Sequence, residues 1–152
     1  MKAKLQTLEV SAIEHGTVLD HLPSEKVMKI AGMLGFHTDC CVTIGLNLTS
    51  KKHQKKGIIK IAGRDLEEAE LNKIAILAPH VTVNTIEGFL VTKKKKIVLR
   101  GIEPDTIRCM NPNCITNHQS VITKFHIIEK TPLKIRCYYC ERSMEEKEIE
   151  FL

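Results

Sequence analysis

The sequence lacks long hydrophobic runs, and it lacks the motifs that mark the common catalytic and phosphate-binding sites. Its longest apolar stretches, such as residues 74–78, fall far short of the ~18 residues that a membrane span needs. It contains no G-x-G-x-x-G or G-x-x-x-x-G-K-[ST] phosphate loop, no nucleophile elbow and no H-E-x-x-H zinc-enzyme motif. These absences argue against a membrane protein and leave catalysis without support.

The amino terminus gives no sign of secretion, because no apolar signal core follows residues 1–6. We therefore expect a cytoplasmic protein. The 152 residues include six cysteines, and in a reducing cytosol clustered cysteines indicate a metal site more often than disulfides. The composition is otherwise that of an ordinary folded protein, with 43% hydrophobic and 27% charged residues.

Charge and cysteine content change near residue 100. Residues 1–100 carry 16 lysines and arginines against 10 acidic residues, a net charge of +6, whereas residues 101–152 carry 7 against 8, a net charge of −1. Four of the six cysteines lie in the second part, and a lysine run at residues 93–96 precedes it. We predict two domains, 1–100 and 101–152. The second is small enough to need a stabilising metal or crosslink.

The apolar pattern of the first part predicts an α+β domain. Its elements follow the order strand, helix, strand, strand, helix, strand, with one further strand. This is the order of a ferredoxin-like fold, an antiparallel sheet with two helices on one face. The predicted strands lie at 5–13, 41–48, 58–62, 81–84 and 89–91. The predicted helices run from Pro23 to Gly35 and from a capping box of Asp65 and Glu68 to Pro79.

Four cysteines of the second part form a metal-binding pattern. A C-x4-C pair and a C-x2-C pair are separated by 22 residues, and the ligands are Cys109, Cys114, Cys137 and Cys140. Thiolates presented in pairs from short loops are typical of structural zinc, and four protein ligands leave no coordination position open for catalysis. We predict one structural Zn2+ per chain in a small all-β zinc ribbon. Free thiols or two disulfides are the alternative.

A zinc ribbon also suggests nucleic-acid binding, and net charge tests that alternative. Four thiolates and one Zn2+ would bring the second part from −1 to about −3, which opposes binding to phosphate backbones. Aromatic side chains for base stacking are few there. A zinc-ribbon protein whose basic first domain contacts nucleic acid is the alternative function. A small ferredoxin-like hydrolase is a weaker alternative, because no nucleophile and base pair is found.

Most lysines of the first part are interpreted as solvated surface. Lys60 differs because it stands within the apolar strand pattern of residues 58–61, where a lysine either extends toward solvent or meets a bound anion. Asp20 and His21 precede the first predicted helix, where capping and turn formation are the alternative to ligand binding.

Several segments resemble the regulatory chain of aspartate carbamoyltransferase. They are GTVLDHLP at 16–23, TIGLNL at 43–48, APHVTVN at 78–84 and the two cysteine pairs, in this order over nearly the whole chain. The resemblance implies a noncatalytic subunit whose first domain binds ATP or CTP and whose zinc domain docks onto catalytic chains. Regulatory dimers of this family bridge catalytic trimers and adjust their activity in pyrimidine biosynthesis. Neither nucleic acid nor a membrane is expected as a partner.

The resemblance also implies a nucleotide site in the first domain. Residues 11–13 match a segment that contacts the base, Asp20 would face the ribose, and His21 the phosphates. Lys60 matches a lysine near base and ribose, and Lys94 one that reaches the phosphates, with Lys93 as the alternative. The implied site consists of Ser11, Ala12, Ile13, Val18, Asp20, His21, Lys60, Asn84, Ile86, Val91 and Lys94. Ser11 and Phe89 replace an acidic residue and a tyrosine expected for the family, which bears on the preference between ATP and CTP.

Overall fold

The computed structural model describes the chain in three stretches, residues 10–36, 39–51 and 55–152. Contacts between residues divide the chain into two units. The first comprises Met1–Leu66 and His80–Ile97, and the second comprises Glu67–Pro79 and Val98–Leu152. Helices and strands are both present, so the predicted α+β class is confirmed. Within the described stretches, no helix is long and apolar enough to span a bilayer.

A five-stranded antiparallel sheet forms most of the first unit. Its strands are β1 (His15–Leu22), β2 (Val42–Thr49), β3 (Lys55–Ala62), β4 (Thr82–Glu87) and β5 (Leu90–Lys96). The strand order is β2-β3-β1-β4-β5, so β1 is central and both β2 and β5 are edge strands. Every neighbouring pair is antiparallel.

Helix α1 (Val27–Leu34) forms where the sequence predicts it. Pro23 precedes a 3-10 turn at Ser24–Lys26, and Gly35 ends the helix in the left-handed conformation, with a φ of 57°. The helix contacts β3. Gly57 permits this close approach, because a Cβ at that position would overlap the Cγ2 atom of Val27. The buried helix positions are Val27, Ile30, Ala31 and Leu34.

The first strand lies later in the sequence than predicted. Residues 10–13 of the predicted strand 5–13 are not in a strand, and residues 5–9 lie outside the described stretches. β1 instead begins at His15, beyond the end of the predicted strand, and four consecutive residues, 16–19, are buried. A strand covered on both faces shows a continuous apolar run rather than alternation. The alternating pattern therefore selected the wrong segment.

The lysine run at residues 93–96, which we interpreted as a boundary, belongs to β5. That strand extends to Lys96 instead of ending at residue 91, and all seven of its residues are exposed. β3 likewise begins at Lys55, three residues before its predicted start. Lysines are common on edge strands because their charge opposes pairing with another sheet. The lysine run can therefore form part of β5, because β5 is an edge strand that pairs only with β4.

Helix α2 (Glu68–Leu77) belongs to the second unit. Its amino-terminal capping box consists of Glu67 and Glu70, in which the Glu67 N–H donates to Glu70 Oε2 at 2.9 Å. The box predicted at Asp65 and Glu68 is therefore wrong by two residues. The helix ends before Pro79, as predicted.

Two small sheets complete the second unit. Strands β6 (Ile107–Arg108) and β10 (Glu150–Phe151) pair with each other, and β7 (Phe125–Lys130), β8 (Leu133–Cys137) and β9 (Ser143–Glu145) form a three-stranded antiparallel sheet. Three residues of these strands have fully buried side chains: Ile107, Ile135 and Met144. The predicted small β domain at the carboxyl end is therefore confirmed.

Candidate functional site

The four predicted cysteine ligands lie together in the second unit. Their Sγ atoms all lie within 4.8 Å of one another. The Sγ atoms of Cys109 and Cys140 are 3.6 Å apart, and those of Cys114 and Cys137 are 3.8 Å apart. A tetrahedral ion with metal–sulfur bonds of about 2.3 Å, the value for zinc, holds its sulfurs about 3.8 Å apart. The cluster therefore fits a tetrahedral metal ion.

Hydrogen bonds fix the two loops that carry these cysteines. Asn117 Nδ2 donates to Cys109 O and to Asn111 O, both at 2.8 Å. In the other loop, the Glu141 N–H donates to Cys137 O at 3.1 Å, and Glu141 has a left-handed φ of 59°. Such bonds orient the loops that carry the ligands.

The thiols of the cluster differ in acidity. Burial raises the pKa of Cys109 and of Cys137. Burial acts in the same direction on Cys140, but hydrogen bonds from the backbone of Arg142 and the side chain of Asn111 lower its pKa to about 7. A coordinated cation ionises thiols outright. A metal ion would therefore hold all four as thiolates.

Two histidines of the second unit lie outside the cluster. His118 Nε2 lies 2.7 Å from Pro112 O, and the His126 ring lies 5.8 Å from the Tyr138 ring. Within the described part of the chain, the group with metal-ligand geometry contains cysteines alone. All four coordination positions are thus supplied by sulfur, and none is left for a reacting molecule.

The register of the five-stranded sheet brings several predicted nucleotide-site residues into one row. Lys60 of β3 pairs with Val18 of β1, and Val18 pairs in turn with Asn84 of β4. Asn84 pairs with Lys94 of β5, and Thr43 of β2 pairs with Lys60 at the other end. Directly paired residues place their side chains on the same face. The row therefore crosses all five strands on one face, which we call the Lys60 face.

Other predicted residues share this face. Asp20 and Ile86 lie two residues from Val18 and Asn84 along their strands, and Ile86 pairs with Val91. Side chains two residues apart in a strand lie on the same side of the sheet. Seven of the eleven predicted residues therefore share this face, and their common location is a property of the register: Val18, Asp20, Lys60, Asn84, Ile86, Val91 and Lys94.

The register also separates the four consecutive lysines of β5. Lys94 pairs with Asn84, and alternation along the strand places Lys96 on the same face. Lys93 and Lys95 belong to the opposite face. Of the two candidates for the phosphate-contacting lysine, Lys94 shares the Lys60 face and Lys93 does not.

An apolar cluster lies between the polar groups of the Lys60 face. It consists of Val18, Ile58 and Ile86, with Val10, Ile13 and Leu48 packed against it. The side-chain oxygen of Asn84 is buried and has no hydrogen-bond partner among the described residues. A buried polar atom without a partner costs about 1–3 kcal/mol. The face thus contains an acceptor that a donor on a ligand would satisfy.

Lys60 joins the sheet to the segment that precedes β1. Its Nζ atom donates to Ser11 O at 2.7 Å and to Val10 O at 3.4 Å. Burial lowers the pKa of Lys60, while the charge of Asp20 acts in the opposite direction. Ser11 and Ala12 are exposed. The segment predicted to contact a base therefore lies beside Lys60.

Asp20 and His21 occupy a β-bulge, where the register between β1 and β3 shifts. His21 has a left-handed φ of 60°. Asp20 Oδ1 accepts hydrogen bonds from Lys56 Nζ and from the His21 N–H, each at 2.7 Å. Burial alone would raise the pKa of Asp20, but the hydrogen bonds and charges of Lys56 and His21 outweigh it and leave the pKa below its usual value.

Sequence reasoning missed the pairing of Lys56 with Asp20 and the place of Thr43 in the row. Lys56 and Lys60 are four residues apart in β3, and this even spacing places both on one face of a regular strand. That spacing was the available signal for Lys56. No local pattern indicates Thr43, because its position opposite Lys60 depends on how β2 and β3 align.

The fold and the cysteine cluster define a class: a chain that joins a basic, sheet-containing unit to a small β domain with a four-cysteine metal site. Two family models match it in succession. They are described as the aspartate carbamoyltransferase regulatory chain, allosteric domain, over residues 8–98, and the metal binding domain of the same chain, over residues 98–150. This chain belongs to the family of aspartate carbamoyltransferase regulatory chains.

Individual relatives agree with the family models. The chain is 49% identical to one from Pyrococcus abyssi and 47% identical to one from Pyrococcus horikoshii, each over 145 residues that cover 93% of this chain and 95% of the relative. It is 41% identical to one from Bacteroides fragilis over 153 residues, with both chains covered completely. All three are named aspartate carbamoyltransferase regulatory chain. The predictions of a noncatalytic regulatory chain and of a metal-binding domain are confirmed, and the nucleic-acid alternative is not favoured.

Proposed function

We propose that this chain binds ATP and CTP on the Lys60 face and transmits their effect to the catalytic chains of aspartate carbamoyltransferase, within pyrimidine biosynthesis in the cytoplasm. One observation carries the proposal: the row from Lys60 through Val18 and Asn84 to Lys94, which gathers residues of four strands on one face. An apolar patch with a few polar groups around it is typical of sites for small ligands.

The chemistry of this face matches the parts of a nucleotide. Lys94 and Lys96 supply cations at one edge for a triphosphate. Asp20 supplies a carboxylate for ribose hydroxyls. The unpartnered oxygen of Asn84 suits the exocyclic amino group that adenine and cytosine both carry. These roles together account for a site that accepts both ATP and CTP.

A calorimetric titration tests this proposal. The metal-loaded chain is titrated with CTP, then with ATP, and in parallel with a single-stranded oligonucleotide. Saturable binding of both mononucleotides, in competition with each other, is expected. Silence toward both, together with oligonucleotide binding that weakens steeply with salt, would instead support the nucleic-acid alternative.

We further propose that the metal is one structural Zn2+ per chain. Four thiolates in a tetrahedron are a ligand set that zinc prefers, and the Sγ separations of 3.6 and 3.8 Å agree with it. Elemental analysis of chain purified without added metal should give one zinc per chain. A different metal at that stoichiometry would contradict the assignment.

The proposed assembly consists of regulatory dimers that dock onto catalytic chains through the metal domain. The edge strand β2 supports the dimer, since residues 42–50 carry no charged side chain and Ile44 and Leu46 are exposed. The metal domain exposes Ile122 and Tyr138, and a cavity of about 650 Å3 extends to Cys109. Light scattering should give a dimer mass, and mixing with catalytic trimers should give a larger complex.

The same proposal includes a ferredoxin-like fold for residues 1–100, followed by the metal domain at 101–152. The strand order β2-β3-β1-β4, with every pair antiparallel, supports this fold. This division assigns helix α2 to the first domain, although contacts between residues group it with the second unit. Limited proteolysis should cut near residue 100 and leave two resistant fragments, the first of which includes α2. Cleavage only within the β-strands of either domain would argue against this division.

A further inference from the structure

The cavity beside Cys109 is lined by charged groups of both signs. Its volume of about 650 Å3 lies within the range of sites for small ligands. All of its lining residues belong to the second unit, so it is not part of the Lys60 face. We call it the Arg108 cleft. Its charged lining residues are Asp105, Arg108 and Glu150, and its apolar ones include Met110, Val121, Ile122 and Leu152.

Arg108 and Glu150 are neighbours across two paired strands. Arg108 of β6 lies directly opposite Glu150 of β10, so their side chains share one face. Both residues are exposed, and neither side chain forms a hydrogen bond or an ion pair with another described residue. A guanidinium and a carboxylate thus stand side by side with their hydrogen-bonding capacity unused. A free amino acid carries the two matching charges on one carbon atom.

Asp105 and Thr123 form a second part of the lining. The Asp105 N–H donates to Thr123 O at 3.0 Å, and the Thr123 N–H donates to Asp105 Oδ1 at 3.5 Å. These contacts hold Asp105 in place and leave its Oδ2 without a partner among the described residues. The Thr123 hydroxyl is buried and has no hydrogen-bond partner there either, which is uncommon in folded proteins. This part of the cleft can therefore accept further hydrogen bonds.

The charge of the Arg108 cleft favours a cationic ligand. Two carboxylates against one guanidinium give the lining a net charge of −1. Cys109 also lines the cleft, and four thiolates around a divalent ion add negative charge beside it. Complementary charge attracts a ligand and selects it against others. A basic amino acid, with one carboxylate and two cationic groups, has the complementary set of charges.

We propose that the Arg108 cleft binds a free basic α-amino acid. Arg108 holds the α-carboxylate through two parallel N–H···O hydrogen bonds. Glu150, directly opposite Arg108, accepts from the α-ammonium group, and Asp105 accepts from the cation at the end of the ligand's side chain. The inference goes beyond the proposed function, because it gives the metal domain a small ligand of its own, and it does not depend on nucleotide binding.

Three matched compounds test the proposal in nuclear magnetic resonance titrations of the full-length, nitrogen-15-labelled, metal-loaded chain. L-Lysine carries all three charges, L-norleucine lacks the side-chain ammonium, and cadaverine lacks the carboxylate. Lysine should shift the amide resonances of the cleft with a dissociation constant of about 1 mM. Norleucine and cadaverine should each bind about tenfold more weakly, which is the scale of one hydrogen bond to a charged group.

Variants should remove these differences one at a time. Arg108→Met should weaken lysine binding about tenfold and leave cadaverine binding unchanged. Asp105→Asn should make lysine bind no more tightly than norleucine. The matched control is Arg136→Met, because Arg136 is an exposed residue of β8 that does not line the cleft. That variant should bind all three compounds as the wild type does.

Each contrary result would overturn a stated part of the proposal. If lysine shifts no cleft resonance at about 10 mM, the cleft is not an amino-acid site. If cadaverine binds as tightly as lysine, the cleft recognises an amine alone, as on a lysine side chain of a docking protein, and the free amino acid is the wrong ligand. Equal lysine affinity of Arg108→Met and the wild type would remove Arg108 from the site. A CTP titration of the same samples keeps these failures distinct from failure of nucleotide binding.

Discussion

Replacement of Cys109 by serine should unfold the metal domain. The Cys109 side chain is almost fully buried, with 2% exposed, and its Sγ lies 3.6 Å from that of Cys140. Structural zinc sites contribute about 10 kcal/mol or more of apparent free energy to folding, whereas whole domains are stable by only about 5–15 kcal/mol. A region of some fifty residues has little core to compensate. Loss of the site therefore exceeds what the domain can withstand.

The chain offers a specific optical probe for this prediction. It has no tryptophan and two tyrosines, Tyr138 and Tyr139, which lie between Cys137 and Cys140 and contact each other with ring centroids 5.2 Å apart. The near-ultraviolet circular dichroism of tyrosine therefore reports on the metal domain. In Cys109→Ser this signal should collapse, and zinc content should fall below one per chain.

The matched control is Cys41→Ser, because Cys41 is exposed and lies in the first unit. That variant should keep both the tyrosine signal and the metal. If Cys109→Ser retains one zinc per chain with a native tyrosine spectrum, the claim that four thiolates hold this domain together is refuted. Chelation of the wild type followed by return of zinc should reproduce the loss and then reverse it.

Three further predictions test the sheet. Lys94→Ala should weaken CTP binding about tenfold by calorimetry, whereas Lys93→Ala, on the opposite face, should not; equal effects would contradict the register. Gly57→Ala should lower the free energy of unfolding in urea by about 1–3 kcal/mol, because the added Cβ would overlap Val27. Gly32→Ala is the matched control: position 32 of α1 has open space around it, so alanine there should raise the free energy of unfolding by about 0.5–1 kcal/mol. Asp20→Asn should lower the free energy of unfolding at pH 7. The difference in stability between variant and wild type should vanish as the pH falls through the lowered folded-state pKa of Asp20, which lies below the unfolded value of about 3.9. A difference that persists in acid would show that the charge of Asp20 is not its cause.

The metal site could be predicted from sequence because its ligands come in two local pairs. Each pair lies on one short loop, and the spacing alone states which sulfurs can meet. Helix α1 was predictable for a similar reason, since Pro23, Gly35 and the helical spacing between them are all local signals. Local information is sufficient where an element is defined by its own residues.

The Lys60 face depends on information that no single segment carries. Its row joins residues from Thr43 to Lys94 through four pairings between strands, and one residue of slippage in any of them would move a side chain to the other face. β1 shows the same limit: its buried run at residues 16–19 follows from coverage on both faces, which alternation cannot indicate. The nucleotide residues themselves stay a prediction from the resemblance.

If the chain binds nucleotides as proposed, the ligand must replace contacts that the residues of its site make with one another. The replaced contacts then determine which part of the chain responds to binding. Lys60 Nζ donates a hydrogen bond to Ser11 O at 2.7 Å. If a nucleotide accepts a hydrogen bond from Lys60, that bond replaces the one to Ser11 O. Only the difference in free energy between these two hydrogen bonds then contributes to the affinity for the nucleotide. The exchange also frees the backbone before β1, so binding is coupled to the position of that segment. A ligand shifts an equilibrium only by its unequal affinity for two states, typically about 1–3 kcal/mol, and one exchanged hydrogen bond to a charged group is of that size. If the proposed nucleotide site is correct, the exchange at Lys60 would couple binding to the position of residues 10–11 by a free energy of that size.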